Sequence, residues 1–209
     1  GSGLQAVIDA AMMVQTGASD LVLAGGVESM SNVEHYTTQI RKGVKAGSLE
    51  LHDRLTRGRV MSQPIARFGV ISGMIETAEN CAKDYGITRE QCDAYAVRSH
   101  QRATAAWANG LFADELVAVP VPQRKGDPVL FDHDEGYRTD ASMETLGKLA
   151  AIDLKRDPQA IVTAGNASQQ NDAAAACLVV AEDKLEELGL TPMLWFGGWA
   201  AAGCDPSRM

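Results

Sequence analysis

Residues 1–27 most strongly restrict the fold, because an apolar helix pattern there is followed closely by an apolar strand pattern. The turn Gly1-Ser2-Gly3 leads into residues 4–16, whose mostly apolar side chains predict a buried helix. After Gly17, residues 20–27 are apolar on both faces, which predicts a buried strand of the parallel type. A helix followed by such a strand is half of a repeating α/β unit, so the sequence predicts an α/β fold.

The glycine-rich turns at both ends of this unit have possible chemical roles. A small-residue turn opening a helix leaves backbone N–H groups free, and such a helix end favours a thiolate or an anion. The Gly25-Gly26 pair, taken alone, is also explained by a tight bend where two backbones approach. Glu28, at the end of the strand, is either an interface residue or a neighbour of an active site.

Two further helices are predicted in the middle of the chain. Residues 75–84 are amphipathic and stop at Gly86. Thr88 and Gln91 form a capping box that begins a second helix, which runs to Trp107 and ends at Gly110. Because their connection is short, we expect these two helices to pack together. The apolar side of the second helix is predicted to contain Ala94, Val97 and Ala105.

The remaining patterns predict strands, a surface helix and one long irregular segment. Residues 115–121 and 129–131 are expected to form a hairpin. Residues 173–181 are interpreted as a strand, with a helix as the alternative because alanine favours helices. A surface helix is expected at 182–188 and another strand at 193–200. Residues 31–67 are irregular and locally basic, and a stretch this long inside a compact domain is usually functional.

Composition excludes several classes of protein. The 209 residues carry a formal net charge of −8, which argues against a nucleic-acid binder. No apolar run approaches the roughly 20 residues of a membrane helix. The four cysteines and four histidines lack metal-ligand spacing, so no metal site is expected. We expect reduced thiols and a cytoplasmic protein.

Three separated motifs resemble those of the thiolases, the acyl-CoA C-acyltransferases. The first joins Gly1-Ser2-Gly3-Leu4-Gln5-Ala6 to Gly25-Gly26-Val27-Glu28-Ser29-Met30-Ser31. The second is Thr77-Ala78-Glu79-Asn80, and the third runs from Val162-Thr163-Ala164-Gly165-Asn166-Ala167-Ser168 to Asn171-Asp172-Ala173. The resemblance covers nearly the whole chain and implies part of the thiolase fold, a layered α-β-α-β-α core with a large loop domain that covers CoA.

The resemblance also implies where the catalytic groups of the complete protein stand. The acyl-carrying cysteine would immediately precede Gly1, and the catalytic His and Cys would lie beyond Met209. We therefore assign no catalytic residue within the chain and expect these 209 residues alone to be inactive and to fold poorly. The implied domains are the end of the N-terminal half at 1–30, the loop domain at 31–158, and at 159–209 the return strand with the start of the C-terminal half.

What the resemblance does assign to this chain is CoA binding. Ser168 matches a serine that hydrogen-bonds the pantetheine arm, although an ordinary turn serine is the plain alternative. Arg138 matches an arginine at the adenine end of CoA, where a guanidinium can stack on a base or bind phosphate. His100 stands at a helix position of another CoA contact, commonly Gln or Tyr in the family. Thr145 matches a serine-like neighbour of CoA.

Two methionines match a pair that lines the acyl pocket of the resembled family. They are Met74 and Met209, and core filling is the competing explanation because methionine adapts to irregular space. Acetoacetyl-specific members often carry a histidine before the first methionine, where this chain has Gly73. The smaller residue is compatible with a longer or different acyl chain.

Three functional hypotheses follow from these observations. The first is a thiolase that cleaves 3-ketoacyl-CoA with CoA, or condenses in reverse, through an acyl-cysteine. It would use CoA as a substrate with no further cofactor, and would form a homodimer or homotetramer in which residues 27–30 lie where subunits meet. The second is a thiolase-like protein that binds acyl-CoA without turnover. The third, an unrelated nucleotide binder, is disfavoured because no G-x-G-x-x-G follows the first strand.

Overall fold

The chain divides into two compact units in the computed structural model, which describes residues 1–71 and 73–209. The first unit comprises Gly1–Leu55 and Gln170–Cys204, and the second comprises Thr56–Gln169 and Asp205–Met209. The helices are α1 (Ser2–Gln15), α2 (Arg54–Val60), α3 (Ile65–Phe68), α4 (Met74–Tyr85), α5 (Arg89–Ala108), α6 (Met143–Gly147) and α7 (Leu185–Leu188). The strands are β1 (Leu21–Ser29), β2 (His35–Tyr36), β3 (His52–Asp53), β4 (Val119–Val121), β5 (Val129–Phe131) and β6 (Asp172–Val180).

The three-part domain organisation expected from the sequence, with boundaries after 30 and 158, stays a prediction.

In the first unit, α1 packs against a two-stranded ladder formed by β1 and β6. The ladder runs from the pair Leu21 and Val180 to the pair Ser29 and Asp172. Since side chains alternate across a strand, one face of β1 is directed at α1 and the other away from it. The buried apolar residues of this unit are Ile8, Ala10, Ala11 and Ala24.

The helix predicted at 4–16 and the strands predicted at 20–27 and 173–181 are present, but two details were wrong. The ladder described for β1 is antiparallel rather than parallel. Helix α1 is buried on one side only, because Leu4 remains 68% exposed. The interpretation of residues 173–181 as a strand is correct, and the helical alternative is wrong. A side chain at Gly25 would come within 2.8 Å of the Ala175 carbonyl oxygen, so this glycine permits a close approach of two backbones.

Residues 193–200 do not form the predicted strand. They are irregular, and the side chains of Met193 and Leu194 are 92% and 90% exposed. An apolar run becomes a strand only where a neighbouring strand satisfies its backbone, and the described residues offer none here. The helix predicted at 182–188 is present as a short 3-10 turn followed by α7, and Gly189 ends it in the left-handed conformation.

In the second unit, α4 and α5 begin and end close to the predicted residues. Gly86 ends α4 with a φ of 64°, a conformation that favours glycine. The Thr88 side chain accepts from the Gln91 backbone, and the Gln91 side chain accepts from the Thr88 backbone, so the predicted capping box is confirmed. The predicted hairpin is also confirmed, although its first strand is only β4, paired with β5.

The packing of these helices differs from the prediction. Helix α5 packs mainly against α6, and α4 packs mainly against the 206–208 turn, rather than against one another. The buried face of α5 contains Asp93, Ala96 and Val97, whereas Ala94 and Ala105 are exposed. Ala96, Val97 and Leu146 form a hydrophobic cluster between the long helix α5 and the single-turn helix α6.

Candidate functional site

All six residues predicted to bind substrate lie in the second unit. They are Met74, His100, Arg138, Thr145, Ser168 and Met209. His100 accepts a hydrogen bond from the Arg138 backbone, and a bond from Gln169 to Gly136 connects that segment to the one that carries Ser168. Thr145 is part of a helix cap. The two methionines flank the contact between α4 and the 206–208 turn. Their assignment to CoA and the acyl group remains a prediction.

Ser168 is exposed and directly follows a compact turn held by its own side chains. The Thr163 backbone N–H donates to the Asn166 side-chain oxygen at 2.8 Å. In return, the Thr163 hydroxyl accepts from the backbone N–H groups of Gly165 and Asn166. Thr163 is fully buried, so the segment that presents Ser168 starts from a fixed point.

A buried polar network attaches this turn to α5. The Asn166 side-chain amide donates to Asp93 Oδ1 at 2.9 Å and to the Ile161 carbonyl at 3.0 Å. Asp93, which is only 2% exposed, also accepts from Arg89 Nε at 2.7 Å. Arg89 in turn donates to the carbonyl oxygens of α6 and its end, at Leu146 and Leu149. A buried carboxylate is tolerated when a cation and hydrogen-bond donors surround it, as they do here.

A second buried carboxylate attaches the start of the same segment to α4. Glu79 is 6% exposed, and its carboxylate accepts from the backbone N–H of Val162 at 2.8 Å and of Ile161 at 3.0 Å. Hydrogen bonds to a charged acceptor are stronger than neutral ones. Two acids from two helices therefore hold the 161–166 segment at both ends.

The segment that carries Arg138 is held against α5. Its backbone N–H donates to His100 Nδ1 at 3.1 Å, so His100 acts as an acceptor through that nitrogen. The Trp107 ring lies 4.0 Å from the His133 ring and is parallel to the Tyr137 ring, and His133 Nε2 lies 2.8 Å from the Tyr137 hydroxyl. The Arg138 side chain is exposed and, among the described residues, forms no ion pair. A free guanidinium on a fixed loop can bind an anion or stack on a base.

Thr145 has a local structural role in this structure. Its hydroxyl donates to the Ser142 carbonyl at 3.0 Å and accepts from the Ser142 backbone N–H, also at 3.0 Å. Ser142 caps the N-terminus of α6 by accepting from the Thr145 backbone. A reciprocal capping box of this kind fixes the start of the helix.

Met74 and Met209 stand at the contact between α4 and the 206–208 turn. Met74 begins α4 and is 54% exposed, and Met209 follows the turn and is 59% exposed. Arg59 Nη2 donates both to the Thr77 hydroxyl and to the Pro206 carbonyl, each at 3.1 Å. These bonds hold the turn on α4 while both methionine side chains remain accessible.

Ion pairs connect the end of α4 to two other segments. Arg208 Nε lies 2.7 Å from Asp84, and this hydrogen bond lowers the pKa of the Asp84 carboxyl. Lys83 pairs with Asp157, which lowers the pKa of Asp157 and raises the pKa of Lys83. A depression lined by Lys83 and Asp157 has a volume of about 260 Å³, and none of the six predicted binding residues lines it.

The four cysteines of the chain differ in their surroundings. Burial raises the pKa of the Cys92 thiol, so a smaller fraction of it is present as the reactive thiolate. All four thiols are free, and Cys177 and Cys204 are exposed. Among residues 1–71 and 73–209, no group of three metal-ligating side chains comes together. The N-terminus of α1 has Gly1 as its cap with no side-chain hydrogen bond, so the N–H groups of its first turn have no capping side chain.

Comparison with known proteins decides the family. A sequence model of the family described as "Thiolase, N-terminal domain" matches residues 1–183. The chain belongs to the thiolase family. It is 45% identical to the acetyl-CoA acetyltransferase of Chromobacterium violaceum and 42% identical to a probable acetyl-CoA acyltransferase of Staphylococcus aureus. Each alignment covers 100% of this thiolase chain and 51% of the relative.

Solved structures agree with the sequence relatives. The Bacillus anthracis acetyl-CoA acetyltransferase superimposes with a TM-score of 0.86 at 38% identity, over 99% of this chain and 50% of that one. A human mitochondrial 3-ketoacyl-CoA thiolase in complex with CoA superimposes with a TM-score of 0.84 at 34% identity. The superposition covers 100% of this chain and 49% of that one. The predicted thiolase fold is confirmed, and the chain spans about half the length of these relatives. No helix in the described part of this thiolase is long and apolar enough to span a membrane.

Sequence reasoning missed Glu79, Asp93 and Asn166, which hold the segment that precedes Ser168. Glu79 and Asn166 lie inside motifs shared with the family, but neither was predicted to have a role. Asp93 could have been found from its spacing, because it shares one helix face with Ala96 and Val97 at i+3 and i+4. An acid within a buried apolar stripe indicates a polar partner from another segment.

Proposed function

We propose that the complete protein containing this chain is an enzyme that transfers an acyl group between acyl-CoA and CoA. In thiolysis, a cysteine thiolate attacks the 3-keto carbon, and the bond between C2 and C3 breaks. A second acid/base protonates the departing carbanion, and the acyl group then passes from cysteine to the CoA thiol. The reverse sequence is a Claisen condensation.

One observation carries this proposal. The chain is 34% identical over its full length, with a TM-score of 0.84, to a 3-ketoacyl-CoA thiolase whose structure contains CoA. A fold alone does not fix a function, but this likeness extends across the motifs that the sequence shares with the family. Relatives at 42–45% identity carry acetyltransferase and acyltransferase names, which supports the same chemistry.

The first unit would supply the position of the nucleophile. We place the acyl-carrying cysteine immediately before Gly1, at the N-terminus of α1. The partial positive charge of a helix N-terminus lowers the pKa of a thiol there and favours its thiolate. The first turn of α1 contains no acidic residue, so no negative charge there opposes a thiolate.

The second unit would bind the CoA substrate. Ser168 would hydrogen-bond the pantetheine arm, Arg138 would meet the adenine end, and Thr145 would lie nearby. His100 would belong to the same site, and Met74 and Met209 would line the acyl pocket. The fixed backbone around Ser168 and Arg138 supports this assignment, because a preorganised site loses less conformational entropy on binding.

We further propose a homodimeric or homotetrameric cytoplasmic enzyme. Residues 27–30 would lie at the subunit contact, where the 80% exposed Val27 offers apolar surface. The four free thiols are compatible with a reducing compartment.

Thiolysis of acetoacetyl-CoA and of a longer 3-ketoacyl-CoA by the complete protein tests the proposal. We expect CoA-dependent loss of substrate and formation of acetyl-CoA, abolished when the residue before Gly1 is replaced by alanine. The 209-residue chain alone should show no turnover. Tight CoA binding without turnover by the complete protein would contradict the enzymatic proposal and favour the alternative, a non-catalytic acyl-CoA-binding protein.

A further inference from the structure

Gln169 connects the segment that carries Ser168 to the segment that carries Arg138. Its side-chain Nε2 donates to the Gly136 carbonyl at 2.5 Å. A side chain added at Gly136 would lie 3.4 Å from the Gln169 amide carbon, so the two segments are in contact as well as hydrogen-bonded. Gln169 directly follows Ser168, and Gly136 stands two residues before Arg138.

The other side of the Gly136–Arg138 segment is fixed by α5. The Arg138 backbone N–H donates to His100 Nδ1, and Tyr137 is parallel to Trp107. The segment therefore has α5 on one side and the Gln169 amide on the other. In the described part of the chain, Gln169 is the side chain that bonds this segment to the segment of Ser168. Without it, the contacts to α5 and the Ala141 backbone N–H, 3.5 Å from the Arg138 carbonyl, would position Arg138.

We propose that Gln169 is a positioning residue that sets the spacing between the Ser168 and Arg138 contacts to one CoA molecule, with His100 as the second anchor of the Arg138 segment. The inference rests on the proposed function, because it gives those two contacts to CoA. Gln169 itself need not touch the ligand. Its effect is selective for a ligand long enough to reach Arg138, so the site discriminates CoA from a shortened thiol that ends at the pantetheine arm.

Comparing two acceptor thiols in the complete enzyme tests this selectivity. Pantetheine has the arm and thiol of CoA but lacks its nucleotide, so it cannot engage Arg138. For Gln169→Leu, which keeps the size and removes the donor, we expect the KM for CoA to rise by about threefold to tenfold, as for loss of one hydrogen bond. The KM for pantetheine should change by less than about twofold.

Gln170→Leu is the matched control. Gln170 is the adjacent residue, it is also exposed, and its side chain has no hydrogen bond within the part of the chain that the structure describes. This variant should leave both KM values unchanged. Because Gln169 is exposed, its substitution is expected to spare folding, and the melting temperature of each variant checks this.

A double variant supplies a second, independent readout. If Gln169 acts through the position of Arg138, Gln169→Leu should have no further effect on the KM for CoA in an Arg138→Ala background. Equal increases for CoA and pantetheine, no increase for CoA, or full additivity with Arg138→Ala would each overturn the inference. A wild-type protein that uses neither thiol would instead contradict the proposed function, and the inference with it.

Discussion

The two units of this thiolase chain differ in the side chains that they bury. The second unit contains the buried polar residues of the described chain, which are Gln63, Thr77, Glu79, Asp93 and Thr163. The first unit instead exposes apolar strand residues on the face of β1 that points away from α1. There Leu23 is paired with Leu178, and the two side chains are 71% and 50% exposed.

We infer from this difference that the first unit depends more on other protein than the second does. A polar group is buried at low cost only when its partners are present, and those of Glu79 and Asp93 all lie in the same unit. An apolar sheet face of adjacent leucines, by contrast, is usually covered by other protein. We infer that the outward face of the β1–β6 ladder is covered in the complete protein, whereas the second unit maintains its own core.

The largest expected effect comes from breaking the polar network of the second unit. Asp93→Ala in the complete protein removes the carboxylate that accepts hydrogen bonds from the Arg89 guanidinium and the Asn166 side-chain amide. We expect the free energy of unfolding to fall by about 3–5 kcal/mol, as for loss of one partner of a buried pair. Denaturant unfolding measures this change.

Glu144→Ala is the control for that comparison. Glu144 of α6 pairs with Lys148, which follows the helix, but both side chains are at least 70% exposed. Such surface pairs contribute about 0–1 kcal/mol. Equal losses for the two variants would show that the buried network has no special importance, and would contradict the contrast drawn between the units.

The next effect concerns the outward face of the first unit. Val27 and Val117 are 80% and 81% exposed in this chain, but only Val27 lies on the β1–β6 ladder. If that face is covered in the complete protein, Val27→Asp should lower the free energy of unfolding by about 2–3 kcal/mol, because a charge would be buried. Val117→Asp should stay within about 0.5 kcal/mol of wild type.

Unfolding curves and the molar mass in solution measure this pair of variants. Loss of the proposed oligomer with Val27→Asp alone would indicate that a second subunit covers the face. An unchanged mass with lower stability would indicate cover from elsewhere in the same protein. If the two variants behave alike, the outward face is not covered, and the first unit is as self-sufficient as the second.

The smallest effect is a pH dependence at the end of the β1–β6 ladder. Asp172 accepts from the hydroxyl and backbone N–H of Ser31 and from the Ser29 hydroxyl, and these bonds lower the pKa of its carboxyl. A lowered pKa in the folded state means that the stabilisation is complete above about pH 4 and is lost as the pH falls below it.

Comparing Asp172→Asn with wild type isolates this contribution. The variant should melt slightly below wild type at pH 7, since Asn keeps only one acceptor oxygen, and the difference should shrink below about pH 4. A difference in melting temperature that stays constant from pH 7 to about pH 3 would contradict this assignment.

Local signals in the sequence predicted much of the fold. The Thr88–Gln91 capping box, Gly86 and Gly189 specify helix ends through contacts within a few residues, and each has the expected role in the structure. The alanine-rich strand β6 was also correctly interpreted, because the β-branched residues at its end favour a strand over a helix.

The incorrect predictions concern features that depend on distant partners. Whether residues 193–200 form a strand depends on a neighbouring strand, and their local pattern carries no information about it. The antiparallel direction of β1 is likewise set by β6, which lies about 150 residues further along the chain. The buried acids Glu79 and Asp93 were missed because their partners, at 161–166, come from another segment.

A structure of the complete protein with CoA bound tests the central claim most directly. We expect the pantetheine arm within hydrogen-bond distance of the Ser168 hydroxyl and the adenine end of CoA at the Arg138 guanidinium. We also expect Gln169 to remain bonded to Gly136. CoA bound away from Ser168 and Arg138, or no binding at all, would contradict the assignment of the second unit as the CoA-binding part of this thiolase.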